Sequence, residues 1–544
     1  MILEKIKWVI ANSVENLYPG ISIQIDLEIP PEGFGDFSTT IPLKLAKILK
    51  KPPIKIAEEI SQNIKSDIFQ SIQISKPGYL NFLLSLDTYK EFLVSLEKGK
   101  EKYFYKKPNG KKVQIEFVSA NPTGPLHVGN GRGGIIGDVL ANLLKTQGFE
   151  VEKEYYVNDA GSKINLFAES IFYYYLLDCD IKTNFPEDGY KGDYIKDIAK
   201  KIFNESGKRF SKMVKKDAIE QIKEVGKKSM INDIKLSLEA FGINFDSWFY
   251  ETTLYKNEEI QKTLNIFKNT PYTYTSDNAI WFKSTSFGDD KDRVLVRGSG
   301  EPTYTLTDAA YHRNKWERGF HKVIDIWGAD HFGHITPMKA LIQGMGLPKD
   351  FLDIIIYQIV HLFEGGKEVM MSKHTGSFVT LSELIEEVGK DAARIFFLLK
   401  SADTHLNFDI NLAKSRTIEN PVYYIQYTYA RLNNIMKEGL SRGIKYKGLD
   451  EVDLSFLSTP EEKDILRSLF YIEEEIHLIL KDYSVHRIPS ITLELCRKIN
   501  AFYQKHKVLN SQEYTQPRLA LVNASLIVLS MLFDLMGIGK KTKM

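Results

Sequence analysis

The stretch "EFVSANPTGPLHVGNGRGGIIGDVLANLLKTQGFEV" (Glu116–Val151) decides the fold. An apolar run ends in a loop crowded with Pro and Gly, one His stands in that loop, and an amphipathic run follows. Read with its upstream neighbours, "VQIEFVS" is a strand, Gly131–Thr146 a helix and "VEKEYYVND" a second strand, which makes a βαβ unit. In a doubly wound sheet, ligands gather where the carboxyl end of a strand turns into a helix, and Ser119–Asn130 lies there. Gly129, Gly131, Gly133 and Gly134 would let backbone approach a ligand without a Cβ in the way. The first N–H groups of the helix suit a phosphate, and His127 adds a donor on the same side. A Gly-rich turn with a structural His is the other reading of the loop alone. It is not a P-loop, because no G-K-[ST] follows.

Working outward, a lysine-rich helical segment fills about 191 to 240, inside an insertion of about 165–270. Strand-like pieces return at "NAIWFKS", "RVLVRGSG", "KVIDIWGAD" and "DIIIYQIVHLF". They alternate with helices, so the expected fold class is α/β with a doubly wound, Rossmann-like parallel sheet. After about Leu381 strands vanish and long amphipathic helices run on, the mark of an all-α bundle. Upstream, 1–105 reads as a small α+β module, closed by the polar linker "KKPNGKK" at 106–112. The expected domains are therefore 1–105, 106–380 and 381–544.

A chain of 544 residues is too long for one hydrophobic core. Its 43% hydrophobic and 26% charged content is that of an ordinary globular protein. A net charge of +2 supplies no global field, so any polyanion footprint must come from local patches. Cys179 and Cys496 exclude a disulfide framework and an all-Cys zinc site, and a reducing cytosol fits. "MILEKIKWVIANS" has no signal-peptide core. The greasiest segment, Leu519–Ile538, carries Asn523, Ser525, Ser530 and Asp534 and reads as a buried bundle helix, not a membrane span.

Two polar placements call for partners. Glu116 sits on an otherwise apolar strand, a costly place for an unpaired acid; a bound cation or an internal salt bridge would meet it. Tyr304 and Asp308, in "EPTYTLTDAAYH", are four apart and share a helix face.

The block "ANPTGPLHVGN" (120–130) resembles the HIGH signature of class I aminoacyl-tRNA synthetases, and its flanks resemble the arginyl-tRNA synthetase family in particular. The resemblance continues through "YYVNDAGSKI", "GDDKDRVLVRGSGEPTYTLTDAAYH", "WGADHFGH", "MMSKHTGS", "DAARIFFLLKS" and "NPVYYIQYTYAR", over nearly the whole chain. It implies ATP-dependent attachment of arginine to tRNA through an arginyl-adenylate, with ATP and its Mg²⁺ as the only cofactors and no protein-bound metal; a metal site from His331 and His334 is set aside. Catalytic roles are implied for His127, Asn130 and Lys373. ATP would lie against Ala120, Pro122, Thr123, Gly124, Pro125, Leu126, His127, Val128, Gly129, Asn130, Asp330, Met371, Ser372 and Lys373. Arginine would lie against Glu116, Ser119, Asn121, Tyr304, Asp308 and His331.

Two departures stand out: Asn130 where the signature usually ends in His, and Met370 in place of the first Lys of the KMSKS-like loop. Lys367 would make up some of the lost charge. Lys163 also stands where the family tends to have Gln. For tRNA(Arg), Tyr79 and Asn81 in the N-terminal module, and Tyr424, Tyr427 and Arg431 in the helical domain, offer stacking and hydrogen bonding; a Tyr stripe at helical spacing also fits a core. Lysines between 196 and 228 suit phosphates or a solvated face. No editing domain is expected, since bidentate charge pairing already rejects neutral analogues. The expected enzyme is a cytoplasmic monomer with no membrane partner; a different class I synthetase, or a non-catalytic tRNA- or arginine-binding paralogue, is the alternative.

Overall fold

The computed structural model describes residues 2–31, 33–369, 379–510 and 512–543. In the N-terminal module the helix Ile2–Leu17 buries Ile2, Leu3, Ile6, Ile10 and Val14, a stripe at helical spacing. It accompanies a three-stranded antiparallel sheet of β1 (Phe37–Thr39), β2 (Phe69–Ser75) and β3 (Tyr79–Leu84), in the order β1-β3-β2.

The catalytic layer is built from β4 (Lys112–Glu116), β5 (Glu150–Val157) and β6 (Ser247–Tyr250). Between the last two lies the insertion, with helices Ser162–Asp178, Asp193–Ser206 and Lys215–Ala240. A separate antiparallel sheet follows, made of β7 (Thr273–Ser276), β8 (Ala279–Phe282) and β9 (Arg293–Val296). The chain returns through β10 (Lys322–Gly328) and β11 (Leu352–Tyr357), giving a five-stranded, all-parallel sheet in the order β11-β10-β4-β5-β6. Strand order reverses beside β4: the chain runs one way through β5 and β6, then resumes on the other side of β4. That is the topological switch point at which a doubly wound sheet opens its crevice.

Three readings of the sequence need correction. "NAIWFKS" and "RVLVRGSG" are strands, yet they form the small antiparallel sheet beside the parallel one, because short connections hold them as hairpin-like neighbours. "DIIIYQIVHLF" is two strands. After β11 it breaks at Gln358, and β12 (Val360–Glu364) joins β13 (Lys367–Glu368) and β14 (Leu406–Asp409) in a fourth sheet. Strands therefore do not end at Leu381: β14 lies beyond it.

Helices Pro421–Ser441, Pro460–Asp482, Arg487–Lys505 and Thr515–Met536 make the bundle. The second starts with a reciprocal cap between Thr459 and Glu462. Within Gln512–Met536 an 18-residue window has a mean hydropathy of 2.1, high enough for a membrane span, but 78% of that window is buried inside the fold. One continuous core joins the N-terminal module, the parallel sheet and the bundle, while the insertion has its own core around Phe167, Tyr175 and Ile222.

Candidate active site

The crevice is shaped first by backbone. At the end of β4 the chain enters the left-handed region twice in succession, at Val118 (φ 67°) and Ser119 (φ 38°). A β-branched residue there is strained, and such strain persists where the surroundings over-determine it, often at functional sites. The turn brings the Ser119 hydroxyl to donate to Glu116 Oε1 at 3.0 Å and to accept from Tyr156 N at 3.1 Å. Beyond it, Ala120 O accepts from Tyr155 Oη at 2.8 Å, Thr123 O from Tyr194 Oη at 2.8 Å, and Leu126 O from Leu381 N at 2.8 Å. Asn121, Pro122, Gly124 and Pro125 complete the loop.

The helix after the loop begins at Val128, three residues earlier than the sequence reading. His127 is its N-cap. Its Nδ1 accepts from Gly129 N at 3.1 Å, while Asn130 Oδ1 accepts from His127 N at 3.1 Å. Asn130 thus closes a capping box, which gives its departure from the signature a local structural role. With Nδ1 accepting, the ring proton of a neutral His127 sits on Nε2. Desolvation lowers its pKa, with Asp330 pulling the other way.

Gly131 and Gly133, and Gly137 further along the helix, serve packing. A Cβ on Gly131 would come within 2.6 Å of Leu381 Cδ1, on Gly133 within 2.6 Å of the Tyr357 ring, and on Gly137 within 2.4 Å of Phe117.

Three acids stand side by side across the sheet. Glu154, Glu116 and Asp325 are register neighbours across β5, β4 and β10. Three like charges side by side are untenable unless paired. Lys315, fully buried, reaches Glu116 at 2.7 Å and Asp325 at 2.9 Å. Asp325 also meets His312 Nε2 at 2.8 Å, and Arg318 binds Glu154 through two nitrogens. Burial opposes ionisation of Asp325, yet Lys315 and His312 hold its carboxyl below the usual range. The cation that Glu116 calls for is therefore internal: Lys315, which the sequence reading did not single out.

Asp308 differs. Among the described residues it makes no ion pair. Burial pushes its carboxyl up to about 7, with Glu251, Glu116 and Asp325 adding to the rise against His312. Glu251, only 4% exposed, is likewise without a cation and is raised by burial; Tyr156 and Tyr255 hydrogen-bond to it. Tyr156 lies among Glu251, Asp308 and Glu116, and its phenol is raised by burial and these charges. Glu251 follows β6 directly, and an acid just past a strand end was the signal that could have found it.

Tyr304 opens the helix Tyr304–Glu317 one turn before Asp308 and is 65% exposed. Asp330 and His331 occupy the turn Ala329–His334 after β10, both largely exposed, with 3.4 Å between them. Met370, Met371, Ser372 and Lys373 lie outside the described residues; Lys367, on β13, is exposed.

Of the remaining expected contacts, Asn81 is buried and donates to Ser75 Oγ at 2.9 Å, while Tyr79, next to the turn, is half-buried. Tyr424 packs against the core. A half-buried line of Tyr423, Tyr427 and Arg431 runs beside it, with Tyr423 stacked on Tyr427 at 5.8 Å. Arg431 lies over the rings of Tyr427 at 4.7 Å and Tyr503 at 4.6 Å. Spacing i, i+4, i+8 would have found Tyr423; Tyr503 comes from another helix.

A five-stranded parallel sheet, a His-capped loop at its switch point and a helical bundle behind it define the class I aminoacyl-tRNA synthetase architecture. The arginine-type class I synthetase catalytic-domain model matches residues 93–418, the arginyl-tRNA synthetase N-terminal model 4–84, and the DALR anticodon-binding model 425–544. The chain belongs to the arginyl-tRNA synthetase family. Arginine–tRNA ligase 1 of Halalkalibacterium halodurans is 41% identical over 527 residues, covering 96% of this chain and 94% of that one. The arginine–tRNA ligase of Thermotoga maritima is 38% identical over 549 residues, all of both chains. The Thermus thermophilus arginyl-tRNA synthetase structure superposes with a TM-score of 0.80 over the full length of both chains at 19% identity, a likeness of fold.

Proposed function

We propose that this chain attaches arginine to tRNA in two steps at the crevice beside β4. In the first, the arginine carboxylate attacks the α-phosphorus of ATP and the bond to pyrophosphate breaks. In the second, the terminal 2′-hydroxyl of tRNA attacks the adenylate carbonyl and AMP leaves. Both steps need positioning and charge more than covalent help.

The observation that carries the amino-acid choice is the pair of carboxylates, half-buried Asp308 and buried Glu251, set beside Tyr156 without a cation partner among the described residues. A guanidinium is planar, permanently charged and rich in donors, and it answers two such acids at once. Tyr304 covers the site from the helix turn above Asp308, while Ser119, Asn121 and His331 face the polar end of arginine. Glu116, already held by Lys315, acts by fixing Ser119 rather than by meeting the guanidinium alone.

ATP lies along Ala120–Asn130, with His127 Nε2–H and the Asn130 amide as donors and Asp330 near the ribose. Mg²⁺ arrives as part of the ATP complex. Lys373 meets the departing pyrophosphate, with Lys367 adding charge; Lys373→Ala then lowers the activation rate with little change in arginine KM. tRNA stacks on the Tyr423–Tyr427–Arg431–Tyr503 face, touches Tyr79, and tracks Lys200, Lys201, Lys212, Lys215 and Lys216, all exposed and without an ion pair among the described residues. The enzyme works as a monomer in the cytoplasm. A charging assay over all amino acids, with and without tRNA, tests the reading; lysine-dependent exchange in place of arginine-dependent exchange would sink it.

A further inference from the structure

The insertion is a body with its own core, yet it reaches the loop after β4 through one phenol. Tyr194, in the first turn of helix Asp193–Ser206, donates to Thr123 O at 2.8 Å. Among the described residues, this is the hydrogen bond that ties Asn121–Pro125 to anything outside the loop. The neighbouring anchors fall at its two ends, from Tyr155 to Ala120 O and from Leu381 N to Leu126 O. Packing supports the same contact. A Cβ on Gly124 would lie 3.2 Å from the Tyr194 hydroxyl, and one on Gly192 would lie 2.4 Å from its ring. Glycine on both sides lets the ring sit flat between the insertion and the loop. Burial raises the phenol pKa, so the hydroxyl stays a donor across the working pH range.

We propose that Tyr194 is a positioning residue for the ATP step, through which the helical insertion fixes the Asn121–Pro125 segment. This rests on the reading that the loop takes ATP. Tyr194 touches no substrate; it acts by holding the carbonyl of Thr123, and with it the register of the turn that leads into His127. A loop carrying three of its residues as Pro or Gly between Pro122 and Pro125 has few backbone N–H groups with which to hold itself, so an outside donor has leverage.

Tyr194→Phe deletes the hydroxyl and keeps the ring. The expected result is an ATP KM in arginine-dependent charging raised about threefold to tenfold, the range that one neutral hydrogen bond supports, with arginine KM within about twofold of wild type and an unchanged melting temperature. Gly124→Ala approaches the contact from the other side. It should raise ATP KM in the wild-type background and have a smaller effect when combined with Tyr194→Phe, because the displaced hydroxyl is then gone. An unchanged ATP KM in Tyr194→Phe, or equal rises for ATP and arginine together with a lower melting temperature, overturns the proposal. Strictly additive effects of the two substitutions overturn it as well, and the Gly124→Ala arm decides if Tyr194→Phe does not fold. A wild-type protein that fails to charge tRNA with arginine would instead overturn the functional reading.

Discussion

Glu116, Asp325 and Glu154 stand side by side on three neighbouring strands, and Lys315, His312 and Arg318 answer them from inside the protein. Asp308 and Glu251 face the same Tyr156 and, among the described residues, have no such answer. Both groups consist of acids drawn out of water, and each alone would be costly. The first is a closed network, whose charge is spent on holding β4, β5 and β10 at a fixed spacing. The second is left open, so its charge can be spent on a ligand. In the proposed reading, acidity therefore does not mark the binding site; an unmet charge does.

The largest effect should come from opening the closed group. Lys315→Met leaves Glu116 and Asp325 buried against each other, and breaking a buried pair in this way costs about 3–5 kcal/mol. Urea unfolding should show it, and wild-type stability in that variant would mean the network is not closed.

Asp308→Ala attacks the open group and should do the opposite. Stability should hold or rise, while kcat/KM for arginine falls about 10²-fold, the roughly 3 kcal/mol expected for truncating one side of a buried charge pair, with ATP KM little changed. Equal losses for both substrates would remove Asp308 from the arginine pocket.

Proton linkage sharpens the contrast. The folded carboxyl of Asp308 titrates near 7, above its unfolded value of about 4. The folded state therefore holds a proton that the unfolded chain has released, and this group's contribution to stability declines as pH rises between those values. Arginine binding needs the ionised form, so arginine KM should fall about tenfold from pH 6 to pH 8. Asp308→Asn should abolish that dependence; a profile that survives in the variant belongs to another group.

Arg431→Ala lies outside both acid groups and provides the smallest change. Losing the stacked guanidinium should raise tRNA KM about fivefold, or ~1 kcal/mol, and leave the arginine pH profile as it was. A shifted profile would mean that the bundle and the pocket are not independent.

Much of this arrangement was legible in the chain. The strand–loop–helix around His127, the Tyr304 and Asp308 pair on one helix turn, and the bundle beyond the catalytic layer follow from local spacing. The packing role of Gly131 and Gly133 was not legible, because the residues they meet, Leu381 and Tyr357, are far away in sequence. Tyr424 fits a binding face or a core by spacing alone, because three- and four-residue steps both satisfy a helix, and only the packed bundle sets it against the core.

By itself, the sequence determined the parts whose information is local: the capped loop, the acids at the strand ends, the apolar stripes of the helices. Tertiary structure alone decided which acid meets which cation. Lys315 and Glu116 are 199 residues apart and Arg318 and Glu154 are 164 apart, and no periodicity encodes such a meeting. Charge pairing falls off steeply outside contact distance, so whether a carboxylate is spent or available is settled only when the chain has folded.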